Sequence, residues 1–315
     1  MPADMPLWLL CAAPTVLMNN IKTEFSIGDL EDLTGVKAHT IRIWEKRYGL
    51  LSPQRSGNNL RNYSLDELRK LLNVVLLTGY GLKISKVAKM GTAEIEMMVG
   101  EIRVGRRDIS HSVHLFKLAM MTFDQPLFLD ATDHLLAKMP FSEVFRAYYL
   151  PFLEEIGLMW QAGKIQPAHE HFISCLIRMV VMQQTALCSR KVRKGTVPGY
   201  VLFLPFGEIH ELGLMYLQYL ITLQGSGCVY LGSNIPLDSL SEVTRLFTGV
   251  TFITYLTVLP EEKPLQQYIE ALLEKVRGAD SDLWVVGRRV AELGPMEAEG
   301  LRRFASLEEI AARFT

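Results

Sequence analysis

Cysteine is scarce in this chain of 315 residues: there are four, at positions 11, 175, 188 and 228. None forms a C-x-x-C pair, so neither a disulfide framework nor a zinc ribbon is indicated. Buried free thiols in a reducing cytoplasm are the expected state. Excess charge of one sign is also missing. The formal net charge is -1, which gives no global sign of a polyanionic partner. Residues 1–17 are apolar, yet they carry Asp4 and no basic residue. The positive flank of a secretory signal is therefore absent, and the run is short for a bilayer span. Residues 1–23 are expected to be a disordered extension or a wrongly chosen start, and the chain is expected to be cytoplasmic with no membrane partner. There is no P-loop, serine triad, zinc spacing or kinase signature, so no enzyme is indicated and no catalytic residue is assigned.

What is present is an apolar content of 49%, sufficient for two or three cores. The most informative stretch is Glu208-Ile-His210-Glu-Leu-Gly213, an E-x-H-x-x-G string directly after the apolar run Val201–Leu204. A short buried strand is expected to end there in a polar loop offering one imidazole. Neutral imidazole is a good nitrogen ligand for a borderline metal, and Gly213 leaves room for a close backbone approach. This string resembles the loop of cobalamin-binding domains whose histidine holds the cobalt. The resemblance implies His210 as lower axial ligand, with Glu208 orienting it.

The region from Glu24 to Met90 holds eleven Lys or Arg against seven Asp or Glu, so a phosphate-binding surface is expected there. Ser26 followed by Asp29 is close to a capping box and should open a helix through Leu33. Thr34-Gly35-Val36 breaks it, and a second helix is expected from about Lys37 to Lys46, with Ile41 and Trp44 on its apolar side. Two short helices joined by a Gly-containing turn form a helix-turn-helix. Arg42, Lys46 and Arg47 put positive charge on or after the second helix, and the Pro-, Gly- and Asn-rich stretch Ser52–Tyr63 reads as a basic hairpin-like loop. Thr40-Ile-Arg42-Ile-Trp44-Glu45, Tyr48-Gly49-Leu50, Pro53, Arg55 and Arg61-x-Tyr63 together resemble the winged helix of the MerR family of bacterial regulators. The resemblance implies double-stranded operator DNA as partner and Thr40, Arg42, Arg55, Arg61 and Tyr63 as contacts. Trp44 reads as core and Glu45 as a partner for an arginine. Tyr63 either packs the wing or touches phosphate. Helices over Leu65–Thr78 and Ile84–Met90 are expected to finish a domain spanning 24–92.

Residues 93–190 lack strand alternation. Helices are expected at about 93–106, 109–122, 126–138 and 141–162, with a long fifth segment from Pro167 to Cys188. Trp160 lies at the end of one helix and Glu170-His171 at the start of the next. This W-x9-E-H pattern resembles the four-helix-bundle cap of CarH-type photoreceptor regulators, which bind adenosylcobalamin. By that resemblance Trp160 packs over the upper axial group, Glu170 bonds the adenosyl moiety and His171 completes the pocket. Some light-sensing relatives carry a histidine directly after the tryptophan. Here the residue is Gln161, a poor substitute for imidazole; His169 or His171 would fill that role only with movement of the cap.

Residues 198–315 alternate strand and helix: strands near Val201–Leu204, Cys228–Leu231, Phe252–Val258 and Leu283–Val286, and helices at Leu212–Leu223, Leu240–Leu246, Leu265–Val276 and Leu307–Ala312. This predicts a doubly wound parallel α/β sheet with ligands beyond the carboxyl ends of its strands. The resemblance makes this a Rossmann-like cobalamin domain, with Ser233, Thr254, Thr257 and Gly287 lining a slot for the nucleotide tail. Arg288 stands where the family usually has a second glycine; it either narrows the slot or meets the cofactor phosphate.

Together the resemblances imply a homo-oligomeric (dimeric or tetrameric) DNA-binding repressor controlled by adenosylcobalamin, with light as a further expected input. Two alternatives stay open: a MerR-like regulator whose sensor takes another cobalamin form, another tetrapyrrole, another ligand or a partner protein, or no cofactor; and a corrinoid carrier or enzyme component.

Overall fold

The computed structural model describes residues 24–55, 60–105, 112–190, 192, 197–257, 265–277, 279–294 and 298–314. The expected extension at 1–23, the tip of the basic loop at 56–59 and the end of the third expected strand at Val258 lie outside them. The described chain divides into two compact units. One runs through His134 and includes Glu154–Glu170; the other comprises Leu135–Leu153 and the chain from His171 onward.

In the first unit, β1 (Glu24–Phe25) leads into α1 (Ile27–Thr34) and α2 (Ala38–Tyr48). The capping box at Ser26 is formed: its backbone N–H reaches Asp29 Oδ2 at 2.7 Å and its hydroxyl accepts from Asp29 N at 3.2 Å. β2 (Gln54–Arg55) and β3 (Arg61–Ser64) make the wing, with β3 paired antiparallel to both β1 and β2. A second capping box, Ser64 with Glu67, starts α3 (Leu65–Gly79). Glu67 also accepts from the Ser52 N–H at 2.6 Å, which fastens the start of the wing to the helix after it. α4 (Ile84–Val87) is shorter than expected, and α5 (Thr92–Gly105), α6 (Ser112–Thr122) and α7 (Gln125–Leu136) follow. α3 packs on both α5 and α6, burying Leu68, Leu71, Leu72, Leu76 and Leu77. Lys117 on α6 is nearly buried and forms a 2.6 Å ion pair with Glu155.

The expected helix over 141–162 is α8 (Phe141–Val144), a π-helical turn (Phe145–Tyr149) and α9 (Leu150–Gln161), and α10 (Pro167–Ser189) is the long fifth segment. By length and composition α10 is apolar enough to cross a bilayer. Its buried face carries Ile173, Leu176, Ile177, Val180, Val181 and Cys188, as a core helix does. Cys175, expected to be buried, is exposed on it.

In the second unit a parallel sheet is built from β4 (Pro198–Pro205), β5 (Gly227–Ile235), β6 (Thr251–Tyr255), β7 (Asp282–Val286) and β8 (Leu301–Phe304), in the order β5-β4-β6-β7-β8. α11 (Leu212–Leu223), α12 (Leu240–Leu246), α13 (Leu265–Arg277) and α14 (Leu307–Ala311) connect and follow these strands. The fifth strand was not foreseen, because Leu-Arg-Arg-Phe at a sheet edge lacks the apolar run that marks the inner strands. The core joins Val201, Phe203, Phe252, Leu283 and Val285 of the strands to Ile269, Leu272 and Val276 of α13. On α11, Tyr216 stacks on Phe145 at 4.0 Å and donates to the Ser142 carbonyl at 3.1 Å. In this strand order the connections reverse between β4 and β6, and the loops leaving those two strands flank the crevice where doubly wound sheets bind ligands.

Candidate functional site

The loop after β4 supplies the first site. Glu208 is 1% exposed. Its Oε1 accepts from the backbone N–H groups of Ile209 (3.0 Å) and His210 (3.1 Å) and lies 2.5 Å from His210 Nδ1. Its Oε2 accepts from Thr257 N at 3.3 Å, beyond the end of β6. Facing an acceptor oxygen, Nδ1 is the ring nitrogen engaged by the protein, and Nε2 is the one on the far side of the ring. The His210 side chain is 53% exposed. The loop therefore offers one oriented, exposed imidazole at the sheet's switch point. Glu208 is itself closed off from solvent, and its side chain meets the loop through His210 and the backbone N–H groups.

Neighbours absent from the sequence-based site fix the same loop. Asn234, at φ 63 on the end of β5, accepts from the Gly207 N–H at 2.7 Å. Glu211 receives the Tyr230 hydroxyl at 3.1 Å, and Arg178 of α10 lies 3.1 Å from its other oxygen. That arginine contact is Coulombic, since Arg178 Nε has no aligned hydrogen bond. Desolvation, then the nearby Glu211 carboxylate, pushes the Tyr230 hydroxyl far above the ordinary phenol range, so it remains a donor. No local motif announces these partners, because β5, α10 and the loop meet only on folding.

The remaining expected residues fall as follows. Gly213 begins α11, where a Cβ would lie 2.9 Å from the Tyr255 ring; the close approach it permits within the chain is to that tyrosine. Ser233 is half-buried within β5 rather than in a loop after it. Thr254 is fully buried on β6, Thr257 is half-buried, and neither hydroxyl has a hydrogen-bond partner. Gly287 has φ +117, and a Cβ there would collide with the Leu256 carbonyl, so the turn after β7 requires glycine. Arg288 is exposed and donates from Nε to the Thr257 carbonyl at 3.0 Å.

The donor set suits a metal already held in a macrocycle. Among the described residues no three His, Cys, Asp or Glu side chains gather as a cluster, and a single axial imidazole is all that a corrin-bound cobalt asks of a protein. The buried, unpartnered threonine hydroxyls are polar groups that a ligand with a polar tail would satisfy.

In the helical region Trp160 ends α9 and is 43% exposed. Glu170 is half-buried in the first turn of α10, and His171 is exposed. His169 accepts from the Gln166 N–H through Nδ1 at 3.2 Å and stacks on Phe123 at 4.9 Å. Of the two histidines considered as substitute ligands, His169 is thus engaged in starting the helix. Burial lowers its pKa below the ordinary 6.5. The unfolded chain then takes up this proton first, so stability is full above pH 6.5 and declines as pH falls below it. Thermal midpoints between pH 7.5 and 5 should fall more steeply for the wild type than for His169→Phe.

The second site is in the winged helix. Arg42 is exposed on α2, Thr40 is half-buried near its start, and Arg55 is exposed on β2. Glu45 receives Arg61 Nε and the Tyr63 hydroxyl, both at 3.1 Å. Arg61 is partly exposed, whereas Tyr63 has no exposed surface. Of the two expected roles for Tyr63, this burial favours wing packing over direct phosphate contact. Desolvation, then the neighbouring Glu45 charge, raises its pKa and keeps the hydroxyl protonated. Ile41 is fully buried, while Ile43 is 52% exposed beside Arg42, an apolar group on the reading helix that the sequence reading did not single out.

Two family profiles match the chain: MerR HTH family regulatory protein over residues 25–93, and B12 binding domain over residues 113–183. A MerR-type helix-turn-helix region is thus followed in one chain by a region matching a B12-binding domain, an arrangement similar to that of CarH- and CarA-type regulators. Its curated relatives include the HTH-type transcriptional repressor CarH of Myxococcus xanthus, 28% identical over 79% of this chain and 85% of that protein. They also include the repressor CarA of Myxococcus xanthus, 29% identical over 68% of this chain and 70% of that one. Among solved structures, a Methanosarcina barkeri monomethylamine corrinoid protein aligns with a TM-score of 0.47 at 16% identity, over 65% of this chain and 93% of that one.

Proposed function

We propose that this protein is a cytoplasmic, homo-oligomeric transcriptional repressor that binds operator DNA under the control of adenosylcobalamin and light, and that it catalyses no reaction. The proposed division is a DNA-binding domain at 24–92, a helical cap at 93–190 and a cobalamin domain at 198–315. The observation that carries the reading is the Glu208–His210 pair at the switch point of the sheet. His210 Nε2 would ligate cobalt from below, and Glu208 would hold the proton on Nδ1 and keep the ring in place. Thr254 and Thr257 would meet the cofactor's polar tail, with Ser233, Gly213 and Gly287 shaping the surrounding backbone. The same reading gives Trp160, Glu170 and His171 roles toward the upper axial adenosyl group. Bound adenosylcobalamin would bring a photolabile cobalt–carbon bond.

Gln161 offers an amide where an imidazole would trap cobalt, so the light response is expected to be weak or reversible. Size-exclusion chromatography of cobalamin-loaded protein, in darkness and after green light, tests this, with a spectrum recorded on each peak. Unchanged mass and unchanged operator affinity after full photolysis would exclude a light switch and leave cobalamin as a ligand sensed in the dark.

A further inference from the structure

The turn after β7 holds a cation that the axial-ligand geometry does not use. Arg288 is exposed, and its Nε is committed to the Thr257 carbonyl at 3.0 Å. That bond orients the guanidinium plane and leaves its two terminal nitrogens. Among the described residues no carboxylate lies within ion-pair distance of them; the neighbouring Glu292 is taken by Arg289 at 2.8 Å. The backbone brings this cation close to the rest of the site. Gly287 lets the turn press against Leu256, and Arg289 N reaches the Leu256 carbonyl at 3.5 Å. Thr257, which Arg288 grips by its carbonyl, gives its N–H to Glu208, the partner of His210.

Thr257, whose carbonyl the arginine holds, and Thr254 of β6 each carry a hydroxyl with no hydrogen-bond partner among the described residues. The Thr254 and Thr257 hydroxyls are buried without partners, and Thr254 is fully buried. A buried hydroxyl left unpaired costs about 1–3 kcal/mol, which a ligand with matching polar groups would relieve. An oriented guanidinium edge is the side-chain group best matched to a phosphate, because two of its N–H donors align with two phosphate oxygens.

We propose that Arg288 is a specificity-determining residue that binds the phosphodiester of the corrinoid's lower tail, with the Thr254 and Thr257 hydroxyls taking further polar groups of that tail. The site then selects a complete cobalamin over a corrinoid that lacks the nucleotide. The proposal rests on the cobalamin reading above and adds which corrinoid is accepted.

The test is a spectral titration of the full chain with adenosylcobalamin and with adenosylcobinamide, which lacks the phosphodiester-linked nucleotide. The wild type should bind adenosylcobalamin tighter by about tenfold or more. Arg288→Gln removes the charge yet keeps an amide donor for the Thr257 carbonyl. It should weaken adenosylcobalamin alone and bring the two ligands within about threefold of each other. The wild-type preference should also shrink as salt rises, since a partly exposed ion pair is screened. Equal affinities in the wild type, or an unchanged preference in Arg288→Gln, would overturn the proposal while leaving imidazole ligation by His210 intact in the spectra. Equal loss of both ligands in Arg288→Gln would show that the arginine only braces the Thr257 loop, and would also overturn it. If the wild type binds neither corrinoid, the cobalamin reading fails together with the proposal.

Discussion

His210→Ala is expected to lose imidazole ligation altogether, with a changed absorption spectrum on adding adenosylcobalamin and a lower affinity than the wild type. Glu208→Ala keeps the imidazole but removes the acceptor that fixes its tautomer and ring plane. Loss of such a supporting partner typically costs about 10–100-fold in metal affinity, and His210→Ala should cost at least as much. Glu208 also gathers the N–H groups of Ile209, His210 and Thr257. Glu208→Gln, which keeps one acceptor oxygen, should therefore fall between the wild type and Glu208→Ala. Spectral titration of the three variants checks the order. Equal affinity and identical spectra for His210→Ala and the wild type would reject the assignment.

Arg42→Ala should relax sequence discrimination on the operator, and Arg55→Ala should weaken all DNA alike. Arg42 is exposed on the second helix of the helix-turn-helix, the element that such domains place in the major groove. A bidentate contact to a base edge there is worth about 1–3 kcal/mol of discrimination. Arg55 is on the wing strand, placed for phosphate, and its loss should lower the salt slope by about one. Arg61 is paired with Glu45, so removing it also frees a carboxylate on the wing, and its loss should weaken DNA binding by more than one phosphate contact alone would. One reading helix per chain calls for a symmetric partner, and footprinting should show a two-fold repeated site. Protection of a lone half-site by a monomer would refute the oligomeric reading.

Local signals were legible where one stretch of chain settles its own structure. The Ser26–Asp29 box, the Gly35 break and the apolar periodicity of α3, α11 and α13 depend on neighbours within a few residues. The inner strands β4, β6 and β7 are buried and read as apolar runs. β8 did not, because an edge strand keeps its arginines in solvent. The π-helical turn at Phe145–Tyr149 is likewise silent in a sequence that reads as one continuous helix. Cys175 was misjudged because apolar helical sequence does not say which face is outward.

By itself the sequence determined the fold class of each region and singled out His210 as a candidate, since E-x-H-x-x-G and the winged-helix string are local and directional. Only the tertiary structure decided how that imidazole is held. Buried Glu208 is tied across the sheet because Thr257, 49 residues away, turns its N–H toward it. Tyr63 is buried in the wing because Glu45 and the small sheet enclose it. Arg288 acquired a fixed direction because Gly287 allows β7 to end against Leu256 and Thr257. Each of these depends on contacts across the sheet or the wing, and the spacing of residues along a chain does not encode which distant backbone group a side chain will meet.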